Sequence, residues 1–215
     1  MARERLRPIG NLRRGLRPLG QILRAIYSRR RDLLFDFDLR DPLPGATAGI
    51  PVEFRSAGPA DIAAFLDDPA HEVSGRIARR CREQLASGEP FLVGVVGGRI
   101  VYHAWAVRRT WRIAGHHRIE MGKGKAVILG CHTIEGFRGR GIYPAALVAQ
   151  LGLLRQMGVA RAFINCNETN LASVRGIQKA GFRRIGSFET VRRAGRVNLV
   201  IGPGPRQALE SDTPP

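Results

Sequence analysis

Lysine is almost missing from this chain: of 35 basic residues only Lys123, Lys125 and Lys179 are lysine, and the rest are arginine. Acidic residues are scarce as well, 18 against those 35, which leaves a formal net charge of +17. Cysteine is limited to Cys81, Cys131 and Cys166, scattered and without a C-x-x-C pair. That argues against a disulfide framework or a structural zinc site, and a reducing cytoplasm is the expected compartment. No apolar run approaches the ~20 residues that cross a bilayer as a helix. No apolar core with a small-residue cleavage site follows the N-terminal arginines, so a secretory leader is not expected. Nor does a helix-turn-helix, zinc-finger or aromatic RNA-binding signature accompany the charge, and nucleic acid is not the expected partner.

What is present is enough for one well-cored domain with appendages: 215 residues, 44% of them hydrophobic. The charge is spread along the chain. Residues 1–40 hold 11 Arg against Glu4, Asp32, Asp36 and Asp38, a net +7 that leaves +10 for the rest. Such a balance attracts polyanions, a phosphorylated cofactor among them. Within residues 1–32, Leu16, Leu19, Ile22, Leu23 and Ile26 fall at helical spacing. A basic amphipathic helix there can lie on an anionic membrane surface, or dock on its own domain or on a partner subunit. The inner membrane face is therefore a second expected location. The expected division is a basic extension over 1–45, a globular domain over 46–205 and a flexible tail over 206–215.

Residues 33–39 (LLFDFDL) read as a short strand and 41–51 as a turn-rich linker. A first domain strand over 52–55 and a helix over 59–66, capped at Ser56 or Gly58, come next. A second helix over 71–86 stops at Ser87-Gly88. Apolar, β-branched runs on either side of Gly97-Gly98 predict a hairpin. Residues 110–125 are less regular, and either lengthen the third strand or form an excursion near a substrate. A strand over 160–166, a helix over 170–180 and a closing hairpin across Ala194-Gly195 complete the pattern.

The most informative stretch is 127–157: VILGCHTI, then EGFRGRG, then IYPAALVAQLGLLRQM. It reads as a buried strand, a glycine turn with two arginines, and a helix with an apolar stripe at Ala146, Leu147, Val148, Leu151 and Leu154. Phe137, Arg138, Gly139, Arg140, Gly141 and Ile142 lie at the helix entrance, where main-chain N–H groups, the helix dipole and two guanidiniums favour an anion. Glycine at 139 and 141 lets the backbone come close to that anion. A pyrophosphate is the expected guest. An RGRG turn alone also describes many solvated loops; here it follows a strand, opens a helix and precedes a second strand–helix unit ending in AGF.

On these residues the chain resembles the GCN5-related N-acetyltransferase (GNAT) superfamily. That family's phosphate loop has the form Gln/Arg-x-x-Gly-x-Gly/Ala, matched by Gly136 to Gly141 except that Gly136 stands where Gln or Arg is usual. Its following Asn-led helix ending in Gly-Phe is matched by Asn170 to Phe182. The resemblance covers roughly 51–201. It implies an α/β fold with a mixed sheet, order β-α-α-β-β-β-α-β-α-β-β, and helices on both faces.

The resemblance also implies a chemistry. Acetyl-CoA or another acyl-CoA is the expected co-substrate, its pantetheine arm lying where the fourth and fifth strands splay apart. A primary amine attacks the thioester directly, and an N–H at the end of the fourth strand, among Cys131 to Ile134 and centred on Thr133, holds the oxyanion. Asn165, Asn167 and Asn170 cluster at the end of the fifth strand, where the family uses an Asn to bind the cofactor arm; Asn165 and Asn170 join the expected cofactor set with Ser173, and Asn170 also reads as a helix N-cap. Many family members protonate the leaving thiolate with a Tyr at the place Ile177 holds here. Tyr143, Ser173 and a bound water are the alternatives. For the base, Glu120, His132, His116 and His117 are the candidates, with strand alternation setting His132 on the face opposite Cys131 and Thr133. A Cys131 nucleophile would need an activating base and is not expected. No metal is implied.

Three functions follow as alternatives. The first is an acyl-CoA N-acyltransferase acting on a small-molecule amine or amino sugar. The second keeps the fold but takes its acyl group from acyl carrier protein or works at an anionic membrane. The third is a non-catalytic CoA-sensing or nucleic-acid-binding module. A homodimer is compatible with each.

Overall fold

The computed structural model describes residues 27–71, 75–113, 117–194 and 196–211. Most of the basic amphipathic segment expected over 1–32, and His116, lie outside the described residues.

Among the described residues ten strands and five α-helices follow in order: β1 (Tyr27–Asp38), β2 (Glu53–Ser56), α1 (Pro59–Asp67), α2 (Gly75–Ala86), β3 (Phe91–Val96), β4 (Arg99–Val107), β5 (Thr110–Ile113), β6 (His117–Glu120), β7 (Lys125–Thr133), α3 (Ile142–Gln156), β8 (Arg161–Asn167), α4 (Leu171–Lys179), β9 (Arg183–Arg193), β10 (Arg196–Ile201) and α5 (Pro203–Glu210). Eight strands form one sheet in the order β10-β9-β1-β8-β7-β4-β3-β2, and β5 and β6 pair separately. Every neighbouring pair in the large sheet is antiparallel except β7 and β8. A parallel pair needs a crossover helix, and α3 supplies it.

Both faces of the sheet are covered. On one, α3 and α4 bury Leu147, Leu151, Leu154 and Ile177 against Phe35, Ala126, Ile128 and Ile164. On the other, Ile62 and Phe65 of α1, Cys81 of α2, Trp111 and Ile119 of the small sheet and Leu209 of α5 pack on Leu34, Phe91, Val127 and Phe163. The 110–125 segment is thus an excursion rather than a longer third strand. Phe182, set by the Gly-Phe that ends α4, packs against Phe37 at 5.8 Å between ring centroids.

Two expected boundaries need correction. The segment 33–39 is not a short strand in an extension: β1 starts at Tyr27 and lies inside the sheet between β8 and β9. Its residues are buried continuously from Asp32 to Phe37, as a strand covered on both faces requires. Asp32 and Asp36 broke the apolar pattern in the sequence, yet each is neutralised by a guanidinium, Arg30 at 2.7 Å for the first and Arg161 for the second. The tail beyond 205 is not flexible over its first part. The Pro203 and Pro205 segment starts α5, Leu209 is fully buried, and the Lys125 ammonium donates to the carbonyls of Ala208 (2.6 Å) and Ser211 (2.5 Å).

Candidate active site

The register of β7 and β8 runs from Lys125/Arg161 to Ile128/Ile164 and stops. Both strands continue, β7 to Thr133 and β8 to Asn167, so they part at their C-terminal ends. A bulge helps to turn β7 away. His103 to Trp105 of β4 opposes His132 back to Leu129 of β7, two steps against three, and Gly130 takes a left-handed φ of +64° there. Beyond the bulge the Ile134 N–H donates to the Val101 carbonyl at 3.0 Å. Antiparallel alternation makes the next pair, Tyr102 and Thr133, a non-hydrogen-bonded one, so the Thr133 N–H and C=O point away from β4 into the gap. The Thr133 carbonyl accepts from Arg138 Nε at 3.0 Å, as that orientation requires.

Over the gap lies a cleft of about 620 Å³, lined by Cys131, His132, Thr133, the glycine loop, Tyr143, Asn170, Ser173 and Gly176. The loop itself is a one-turn 3-10 helix, Glu135–Phe137, followed by Arg138 to Gly141. Gly139 has φ +77° and open space around it; Gly141 has φ +71° and lies against the 47–49 backbone, where a Cβ would stand 3.1 Å from the Thr47 carbonyl oxygen. From that same segment the Gly49 N–H donates to the Arg140 carbonyl at 2.7 Å. The linker over 41–51 is therefore a brace for the loop. Phe137, Arg138, Gly139, Gly141 and Ile142 line the cleft. Arg140 does not; its guanidinium sits 5.4 Å from the Phe137 ring centroid.

Two cations that sequence reasoning passed over also line the cleft, Arg175 and Lys179. They are four apart on α4 and exposed, and neither has a carboxylate partner among the described residues. Ten other arginines among the described residues are ion-paired, from Arg29 with Glu189 to Arg206 with Glu210. The i, i+4 spacing on the helix that follows the loop was the available signal. Positive charge gathered without a counter-charge at one concavity favours an anionic guest.

Asn170 is where the sequence put it, lining the cleft and capping α4 through Oδ1, which accepts from the Ser173 N–H at 3.1 Å. Ser173 and Tyr143 bring their hydroxyls within 3.2 Å of each other. Burial pushes the Tyr143 phenol far above its ordinary value and the Cys131 thiol up to about 11. Cys131 thus stays a thiol at neutral pH and makes a poor nucleophile. Ile177 is fully buried in the core and does not reach the cleft.

Other expected residues lie elsewhere. Asn165 is absent from the lining: it follows Ile164 and precedes Cys166, both of which pack on the α3 side, so alternation turns it to the opposite layer. Glu120 sits exposed on β6, accepting from Thr110 Oγ1 at 2.8 Å, and also does not line the cleft. His117 is tied to the Val197 carbonyl at 2.9 Å. His132 reaches the cleft edge, with its ring 5.5 Å from that of His103 and 6.3 Å from that of His71. His103 is pushed down to about 3 by burial first and by the other two imidazoles second. His71 is lowered by burial while its Nε2–H donates to the Ile100 carbonyl at 3.0 Å.

No family sequence model matches the chain, and no curated protein does. Its likeness is to solved structures. A GCN5-related N-acetyltransferase from Sphaerobacter thermophilus matches with a TM-score of 0.57 at 20% identity, over 83% of this chain and 57% of that one. The fold is that of the GCN5-related N-acetyltransferases. A GNAT-family acetyltransferase from Colwellia psychrerythraea matches with a TM-score of 0.53 at 15% identity, over 87% of this chain and 62% of that one. A GCN5-related glucosamine N-acetyltransferase region of a fungal multi-domain β-N-acetylglucosaminidase matches with a TM-score of 0.56 at 12% identity, over 83% of this chain and 23% of that one. The chain thus spans less than two thirds of each of these three. In this GNAT fold, β7 and β8 are the parting pair, and the glycine loop opens α3 above them.

Proposed function

We propose that this protein transfers an acyl group, acetyl in the simplest case, from acyl-CoA to a primary amine of a small molecule such as an amino sugar. One observation carries the reading: a left-handed glycine loop at the start of α3 overhangs the gap into which the Thr133 N–H points. Main-chain amides from Arg138 to Ile142, with the α3 dipole behind them, suit a diphosphate. Arg138, Arg175 and Lys179 add the cationic charge it needs. The unpaired strand edges at the gap suit an extended amide-bearing arm such as pantetheine, which can replace lost ladder hydrogen bonds.

In this reading the thioester carbonyl oxygen meets the Thr133 N–H, a donor fixed before the reaction begins and so spared reorganisation. The amine nitrogen attacks the carbonyl carbon, the C–N bond forms, and the tetrahedral intermediate collapses with the sulfur keeping the C–S pair. Holding both reactants in the cleft supplies up to ~7–11 kcal/mol at best. His132 is the imidazole at the cleft edge and takes the amine proton, directly or through water. Direct attack is favoured over an acyl-cysteine because burial keeps Cys131 protonated.

Calorimetric titration with CoA, followed by thiol release from acetyl-CoA over a panel of primary amines, tests this. Micromolar binding and amine-dependent thiol release are expected. Absence of binding at millimolar CoA would end the reading.

A further inference from the structure

Gly176 of α4 is a residue with its side-chain space already taken. A Cβ built there would collide with Cδ1 of Tyr143 and stand 2.8 Å from Cε1. The phenol ring of Tyr143, from the first turn of α3, therefore reaches across to α4 and rests in the notch that glycine leaves. Its hydroxyl meets Ser173 Oγ at 3.2 Å, one turn before Gly176 on the same helix. Ser173 is in turn fixed by its N–H to Asn170 Oδ1. All four residues line the cleft, together with Cys131 and Thr133 across the gap.

We infer that Tyr143 donates the hydrogen bond that stabilises the departing sulfur of the thioester. The assignment rests on the acyltransferase reading above. The reasons lie in where the ring is held. Thr133 and Cys131 stand on the β7 side of the gap and Ser173 on the α4 side, and the Tyr143 hydroxyl meets Ser173 and interacts with the Cys131 thiol. If Ser173 donates to the phenolic oxygen, the phenol's own proton is directed to the β7 side of the gap, where the Cys131 thiol is its partner until a thioester sulfur takes that place; the hydroxyl pair permits that arrangement. The phenol also keeps this proton at neutral pH, because burial disfavours phenolate. Ile177 supplies no such group, being packed among Leu147 and Leu151 in the core. Atoms balance without a co-reactant. The sulfur leaves with the bonding pair, Tyr143 O–H holds it as thiolate, and the proton released by the attacking amine reaches it through solvent.

The test needs no acceptor. Thiolate absorbs in the near ultraviolet, so the ionisation of CoA bound to the full protein can be followed against pH, with desulfo-CoA as the blank for the protein's own cysteines. In the wild type the bound thiol is expected to ionise about one to two pH units below its midpoint in Tyr143→Phe. Phenylalanine keeps the ring in the Gly176 notch, so CoA affinity by calorimetry, at a pH below both thiol midpoints, should stay within about threefold. Gly176→Ala, which evicts the ring, should raise the midpoint in the same way. Equal midpoints for wild type and Tyr143→Phe, both with CoA bound, overturn the assignment and leave the acyltransferase reading standing. No CoA binding to the wild type overturns that reading itself.

Discussion

The indole of Trp105 fills the space where Gly130 would carry a side chain: a Cβ at 130 would overlap three atoms of its six-membered ring. Trp105 lies one place from the register break in β4, and Gly130 is the left-handed residue of the facing bulge in β7. Ring and bulge fix each other. Together they set which main-chain amides of β7 look into the gap.

Gly130→Ala should accordingly harm both stability and function. The left-handed backbone costs about 1–3 kcal/mol for a non-glycine residue, and the overlap with Trp105 adds to it. Thermal denaturation should show a drop of several degrees. Thiol release should fall further than the melting point predicts, since straightening the bulge turns the Thr133 amide out of position.

At the loop, Gly139 has open space but a φ of +77°. Gly139→Ala should weaken CoA binding only modestly. Gly139→Glu brings a carboxylate to the anion cradle and should reduce CoA affinity at least about 100-fold by calorimetry, with a melting temperature only a few degrees lower from the left-handed backbone. His132→Ala, beside the reacting end of the cleft, should leave CoA affinity unchanged.

Arg175→Ala and Lys179→Ala each remove one cation from the cleft rim. Both side chains are exposed, so each loss should weaken CoA about fivefold at low salt, near 1 kcal/mol. The difference from wild type should shrink as ionic strength rises through 0.15 to 1 M, where the screening length falls from about 8 to 3 Å. An undiminished difference in high salt would argue that these residues act by packing.

Acid should destabilise the fold through its buried histidines. His103 ordinarily titrates near 6.5 and is held at about 3 when folded. Between those values the unfolded chain binds a proton that the folded one refuses, so stability rises with pH across that window. His71 is shifted in the same direction. Stability should be full above pH ~6.5 and fall progressively toward pH 3, and His103→Phe should flatten that slope. Asp38, held at about 2 by hydrogen bonds from Arg40, adds a loss only below its ordinary 3.8.

Shortening the chain separates the two boundaries. A chain beginning at Tyr27 should melt as a cooperative domain, because every described strand is retained. One beginning at Ala46 loses β1 and the buried side chains of Leu33, Leu34, Phe35 and Phe37. At ~1.5–3 kcal/mol each, that loss rivals the ~5–15 kcal/mol by which a domain is stable. It should not fold. A test of the basic segment's role at a membrane must therefore cut before Tyr27, not at residue 32.

Sequence alone determined the strand–loop–helix unit over 127–157, the Asn170 cap, the Gly-Phe after α4 and the closing hairpin. Each depends on local rules: apolar periodicity, left-handed glycine, N-cap chemistry and turn length, all readable within a few residues. Only the tertiary structure decided that β1 belongs inside the sheet, because the partners that neutralise Asp36 and pair with its backbone come from β8, more than a hundred residues away. It likewise decided that Tyr143 fills the side-chain space at Gly176, that Arg175 and Lys179 line the cleft, and that Asn165 and Glu120 do not. Those facts depend on which faces meet across the sheet, and long-range packing of that kind leaves no periodic trace in the chain.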